Sequence, residues 1–191
     1  MAEEHGQVRE EELDPEREAR RRLALAQIRQ YPDAVLRMRA NEVESFDDDL
    51  RRLAARMTRL MQDANGVGLA GNQVGTLQRL FVLQAHADDD PRALVNPRIV
   101  ESSDETLSED EGCLSLVGIT VPVARSLKVT VEAKDEHGED VRLELEEHAA
   151  RVAQHELDHL DGTLILDRTT PEARREALGI LRPEPLLGAI S

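Results

Sequence analysis

Gln154-His155-Glu156-Leu157-Asp158-His159 is the stretch around which the rest of the chain is read. It is an H-E-x-x-H motif. At about 100° of helical rotation per residue, His155 and His159 fall on one side of a helix, one turn apart, where two imidazoles can grip one metal ion. Glu156 projects to the neighbouring side, within reach of a metal-bound water without being a ligand itself. In the surrounding segment, Glu147, Arg151, Gln154 and Asp158 gather on one arc that reads as solvent-facing. Ala149, Val152, Ala153, Leu157 and Leu160 take up most of the remainder, beside the His155/Glu156/His159 face. The histidines therefore lie on the inward part of the helix. Buried imidazoles need partners; a metal is one, and two ordinary core histidines with a chance Glu are the bland alternative.

Working outward, Leu127, Val129 and Val131 alternate with polar residues, as do Val141, Leu143 and Leu145, and Asp135-Glu136-His137-Gly138 lies between them. That is a β-hairpin signature, running directly into the motif helix, which Asp161-Gly162 ends. Upstream, residues 80–83 and 119–123 read as short strands, and residues 93–100 as a strand that Asn96-Pro97 places at a sheet edge. Residues 101–110 read as an acidic loop. Leu50, Leu53, Ala54, Met57, Leu60 and Met61 recur at helical spacing, with Ser45 or Asp47 as cap and Asn65-Gly66 as stop. Gly66-Val67-Gly68-Leu69-Ala70-Gly71-Asn72-Gln73-Val74-Gly75 follows. Without a strand before it or a long helix after it, this run reads as a tight loop rather than a dinucleotide site. Beyond the motif, residues 164–166 read as a strand and Pro171 starts a small helix. The fold class expected is α+β, with antiparallel or mixed sheets of short strands around a central metal-binding helix. Its divisions are a charged, partly disordered arm with some helix over residues 1–30, a catalytic domain over 31–170, and a short helix and tail over 171–191.

Composition narrows the function. The 191 residues carry a net charge of -15, with aromatics at only 2%. Such acidity argues against nucleic acid or an anionic membrane as a partner, and the core must be built from Leu, Val, Ile and Ala. Cys113 is the single cysteine, which rules out an internal disulfide. No apolar run is long enough to span a bilayer and the N-terminus is charged rather than signal-like, so a soluble cytoplasmic protein is expected; it is also expected to be a monomer.

A catalytic metal site typically has three protein ligands and one open position. The extended motif H-E-x-x-H-x-x-G-x-x-H nearly continues, with Gly162 in place, but its last position is Ile165. Glu172 and Glu176 lie in a charge-rich surface segment. Cys113, in Glu111-Gly112-Cys113-Leu114-Ser115, is the better candidate, because a thiolate binds Fe²⁺ or Zn²⁺ strongly. Taken together, the segments 66–73, 111–115 and 154–159 resemble the three motifs of the peptide deformylase family, in the right order, with the resemblance running over residues 35–168. It implies a metal-dependent hydrolase that removes the formyl group from the N-terminal methionine of new proteins and releases formate. It further implies that Cys113, His155 and His159 hold one divalent ion, Fe²⁺ in the cell and Zn²⁺ or Ni²⁺ in purified material, with Glu156 as general acid/base. The Gln73 amide and the Leu114 N–H would polarise the formyl oxygen, and Gly68, Gly112 and Arg125 would contact the peptide, laid down as an added strand. The partner implied is the nascent formylated polypeptide, met near the ribosome exit.

Two departures from the family stand out. Gly71-Asn72 replaces Ala-Pro or similar, which would loosen the first loop. Glu147-His148 replaces Gly and a large apolar residue that helps form the methionine pocket; His148 is read as an exposed or hydrogen-bonded side chain, with a spare metal ligand as the alternative, and a ring turned inward is expected to weaken the preference for methionine, which His148→Leu would partly restore. Two other classes stay open from the sequence: a zinc peptidase of the H-E-x-x-H type, and a non-catalytic deformylase-like binding protein.

Overall fold

The computed structural model describes residues 14–181. Most of the charged arm before Asp14 and the Arg182-Pro183-Glu184-Pro185 tail lie outside them. Among the described residues the elements are five α-helices, α1 (Pro15–Leu25), α2 (Asp48–Asp63), α3 (Glu147–Leu160), α4 (Ile165–Arg168) and α5 (Pro171–Ile180), two 3-10 helices (Ala34–Arg37 and Gly71–Val74), and seven strands. The strands are β1 (Gly68–Ala70), β2 (Leu80–Leu83), β3 (Arg92–Ser102), β4 (Thr106–Gly112), β5 (Thr120–Ser126), β6 (Lys128–Lys134) and β7 (Asp140–Glu146). One antiparallel sheet has the order β1-β2-β3-β6-β7, and β4 and β5 form a second.

The alternation of β2 organises the layers. Strand side chains point alternately to opposite faces, so Leu80 and Val82 meet Leu50, Ala54, Met57 and Met61 of α2. Phe81 and Leu83 face the other way, onto Ala150, Ala153, Leu157 and Leu160 of α3. The α2 stripe expected from its spacing is the buried one, and Asp47 is the cap used, its side chain accepting from Leu50 N–H at 3.0 Å. A third cluster joins Val121 and Val123 of β5 to Ile165, Leu166 and Ala177. Helix α3 thus runs between the large sheet and the β4–β5 pair, and the hairpin β6–β7 delivers the chain straight into it.

Four local expectations are corrected. Strand β3 is central, flanked by β2 and β6. Asn96-Pro97 is tolerated there because the register shifts between Val95 and Arg98, a bulge that asks no N–H of the proline. Asn96, at φ 51°, uses its side chain to pair with both backbone groups of Val43. Residues 101–110 are mostly strand, the end of β3 and most of β4; the acidic side chains of β4 are exposed except Glu111, as suits a strand with one solvated face. Residues 164–166 lead into the short helix α4 and are all buried; a short apolar run cannot by its pattern alone distinguish strand from buried helix. Finally, the glycine-rich run expected as a tight loop is strand β1 followed by a 3-10 helix (Gly71–Val74), and Asn72 fastens it instead of loosening it: it is fully buried, and its amide donates to Met38 O at 2.5 Å.

Candidate metal centre

Three separate segments converge on one point. Cys113 follows the end of β4, and His155 and His159 come from α3; one ligand atom from each lies within 4.8 Å of the other two. Cys113 Sγ is 3.2 Å from His159 Nε2. His155 turns Nδ1 to Glu111 Oε2 at 3.0 Å, which leaves its Nε2 for the centre. This is the usual device by which an outer carboxylate fixes a ligating histidine's tautomer. One thiolate and two imidazoles form a donor set suited to Fe²⁺, Zn²⁺ or Ni²⁺. Glu172 and Glu176 are exposed on α5, and Ile165 is packed in the core.

Glu156 is 3% exposed, and its Oε2 has no hydrogen-bond partner among the described residues. Burial, joined by the nearby Glu111 carboxylate and opposed by His155 and Arg125, raises its pKa to about 7. A buried, unpartnered carboxylate that titrates near neutrality is suited to proton transfer. Gly68 explains the space it occupies: a Cβ there would sit 2.3 Å from Glu156 Oε1. Gln73 is equally fixed. Its Oε1 accepts from Ala70 N–H at 2.8 Å, while Nε2 donates to Ser115 Oγ at 3.1 Å and lies 3.6 Å from Cys113 Sγ. Its donor end therefore points at the metal-binding cluster. The Leu114 N–H donates to no acceptor among the described residues.

Beneath the ligands lies a buried ionic network that sequence reading missed. Glu111, 5% exposed, accepts from Arg125 Nε and Nη2 (2.9 and 3.0 Å), from Arg151 Nη1 (2.8 Å) and from His155. Burial alone would raise its pKa, but hydrogen bonds from His155 and Arg125 prevail and lower it to about 2. Arg125 Nη1 donates onward to Asp158 at 2.6 Å, and Arg168 of α4 grips the same carboxylate. Arg151 and Asp158 are therefore buried, not solvent-facing, because the β4–β5 sheet covers that arc of α3 and supplies the opposite charges. Gln154 lies there too, exchanging hydrogen bonds with the backbone of Ser126. Arg125 is likewise corrected: its guanidinium is held by Glu111 and Asp158 and does not border the cleft. The only sequence signal for Glu111 was its place two residues before Cys113.

A cleft of about 710 Å³ opens over this centre, bordered by residues 65–68, 109–114, His148, Val152 and Glu156, with Arg21 and Leu25 of α1. Strand β1 is the terminal strand of its sheet, so one of its edges is unpaired there. His148 is exposed at the cleft border, its ring 6.0 Å from that of His86. Glu147 before it adopts φ 49°, the left-handed region that glycine enters without strain.

The polypeptide deformylase family model matches residues 25–175. The chain belongs to the polypeptide deformylase family. A peptide deformylase of Clostridium botulinum is 47% identical over 148 residues, which span 78% of this chain and 99% of that protein. The peptide deformylase of Thermotoga maritima is 46% identical over 147 residues, 77% of this chain and 88% of its own. The Thermotoga maritima crystal structure superposes with a TM-score of 0.73 over 75% of this chain and 97% of that one. Peptide deformylase 1B from Arabidopsis thaliana, 37% identical and bound to an inhibitor, superposes at 0.77 over 81% and 89%. Membership of this metal-dependent family agrees with the convergence of Cys113, His155 and His159. Among the described residues no helix is long and apolar enough to cross a membrane.

Proposed function

We infer that this polypeptide deformylase family member removes the formyl group from formyl-methionine at the N-terminus of newly made polypeptides, releasing formate and a free amine. The observation that carries this reading is the meeting of three donor atoms with a buried, unpartnered Glu156 and a fixed Gln73 amide under one cleft. Cys113, His155 and His159 would hold one divalent ion, Fe²⁺ in the cell and replaceable by Zn²⁺ or Ni²⁺. Bound there, that ion supplies Lewis acidity and makes water a competent nucleophile near neutral pH.

The remaining work falls to the chain's own groups. Glu156 accepts the proton of the attacking water as oxygen adds to the formyl carbon. Gln73 Nε2 and the Leu114 N–H meet the oxygen on which negative charge develops; donors fixed before the reaction need no reorganisation as it proceeds. Glu156 then passes its proton to the departing nitrogen as the carbon–nitrogen bond breaks. Gly68 and Gly112 offer backbone groups on the two walls of the cleft, so the peptide is held as a strand added to the edge of β1. Arg125 keeps Glu111, and through it His155, in place. The reading carries with it a nascent chain as partner, met near the ribosome exit in the cytoplasm, and a monomeric enzyme.

The test is formate release by the metal-loaded protein from formyl-Met-Ala-Ser beside acetyl-Met-Ala-Ser and unformylated Met-Ala-Ser. Formate from the first, with the other two intact, supports the reading. Cleavage of peptide bonds in the unformylated peptide would favour the peptidase instead. Metal binding with no turnover of any would favour a binding protein.

A further inference from the structure

The wall of the cleft contains a cation from outside the family match. That match begins at residue 25, whereas α1 spans Pro15–Leu25. The helix is a fixed part of the fold. Asp14 caps it, Pro15 starts it, and Ala24 is buried in the α2 cluster against which Leu25 also packs. Arg17, Arg21 and Leu25 are spaced by four and so share one face. Arg17 reaches the turn after α2, donating to Asn65 Oδ1 at 3.1 Å. Arg21 and Leu25 border the cleft beside Asn65, Gly66 and Val67.

The other cations bordering the cleft are committed. Arg151 donates to Glu109, Glu111 and two backbone carbonyls, and His155 is tied to Glu111. Arg21, half-buried, has no acidic partner within 4.0 Å among the described residues. The opposite wall presents the exposed carboxylates of Glu109 and Asp110. One side of the cleft therefore presents Asp110, with Glu109 shared with Arg151, and the other a guanidinium with no acidic partner among the described residues, in a chain of net charge -15.

We propose that Arg21 is a specificity-determining residue that reads an acidic side chain at the third position of the formylated peptide. This rests on the deformylase reading above. Gly68 touches Glu156 and so marks the reacting end. Gly68 is the first residue of β1, and Gly66 before it is turned back onto α2, its N–H donating to Met61 O at 2.8 Å; a peptide strand that advances about 3.3 Å per residue therefore passes the end of β1 within two residues of the one abreast of Gly68. The residue that passes this end comes level with the wall that Arg21 occupies, and a guanidinium there favours a carboxylate and disfavours an ammonium.

The experiment measures kcat/KM for formyl-Met-Ala-Xaa-Ser-amide with Xaa as Glu, Gln or Lys, using the metal-loaded full chain at low salt. Wild type should prefer Glu over Lys by about fivefold, the upper range for a partly exposed ion pair, and 0.5 M salt should shrink the preference. Arg21→Gln should flatten the ratio, and Arg21→Glu should reverse it. Circular dichroism confirms that both variants keep their helix content. A Glu-to-Lys ratio that is equal in wild type and Arg21→Glu overturns the assignment while formate release from the Gln peptide keeps the deformylase reading intact. Absence of formate from every peptide would overturn both.

Discussion

Glu111→Gln tests the network under the metal centre. The carboxylate accepts four hydrogen bonds, two on each oxygen, from Arg125, Arg151 and His155. Glutamine can present only one acceptor oxygen, so its NH₂ must face two donors whichever way it is turned. The fall in the Glu111 pKa from 4.5 to about 2, at about 1.36 kcal/mol per pKa unit, corresponds to about 3 kcal/mol. Breaking one partner of a buried ion pair costs about the same, 3–5 kcal/mol. The folded pKa lies below the unfolded one, so this stability is complete above pH 4.5 and is lost as pH falls towards 2. Urea unfolding of the metal-free wild type and Glu111→Gln should therefore differ by about 3 kcal/mol at pH 7. The gap should narrow in titrations at pH 4 and pH 3. A difference below about 1 kcal/mol at pH 7, or one that does not change with pH, would refute the reasoning. His155 also loses its acceptor, and metal affinity should fall by about 10- to 100-fold.

Other substitutions probe single features. Glu156→Ala should retain the metal and the fold but lower kcat by at least about a hundredfold, read by formate release beside metal analysis; near-normal turnover would remove Glu156 from the proton path. Gly68→Ala places a methyl group 2.3 Å from Glu156 Oε1 and must displace that carboxylate, so formate release should drop by about tenfold or more while metal content holds. Glu147→Gly relieves a left-handed backbone and should raise stability by about 1 kcal/mol, seen as a higher Tm. His148 is exposed beside His86, so His148→Leu should leave the preference for formyl-Met over formyl-Ala peptides within about twofold, less than a buried methylene contributes; a larger change would place the ring inside the pocket.

Much of the site was legible because its signals are local. The spacing of His155, Glu156 and His159 sets a helix face, and the run into α3 from the β6–β7 alternation was readable for the same reason. Burial of Arg151 and Asp158 was not, because a charged arc reads as solvated until a covering element is known. Here the cover is β4–β5, and Glu111 supplies the counter-charge from 40 residues away in sequence. Strand β4 itself is hidden by its acidity, since six of its seven residues are exposed and only Glu111 is buried. Pro97 misled in the opposite sense: a bulge absorbs it inside a central strand, and a bulge leaves no periodic trace. The left-handed backbone of Glu147 shows in no periodicity, because its strain comes from the junction of β7 with α3 and not from its own type; the one hint was its standing where the resemblance implies Gly.

The most direct measurement of the central claim is X-ray absorption at the metal edge of the loaded protein. One sulfur at about 2.3 Å and two imidazole nitrogens at about 2.0–2.1 Å are predicted, with the sulfur contribution lost in Cys113→Ser. A shell of nitrogen and oxygen alone in the wild type would contradict the assignment of Cys113, His155 and His159 as the ligands.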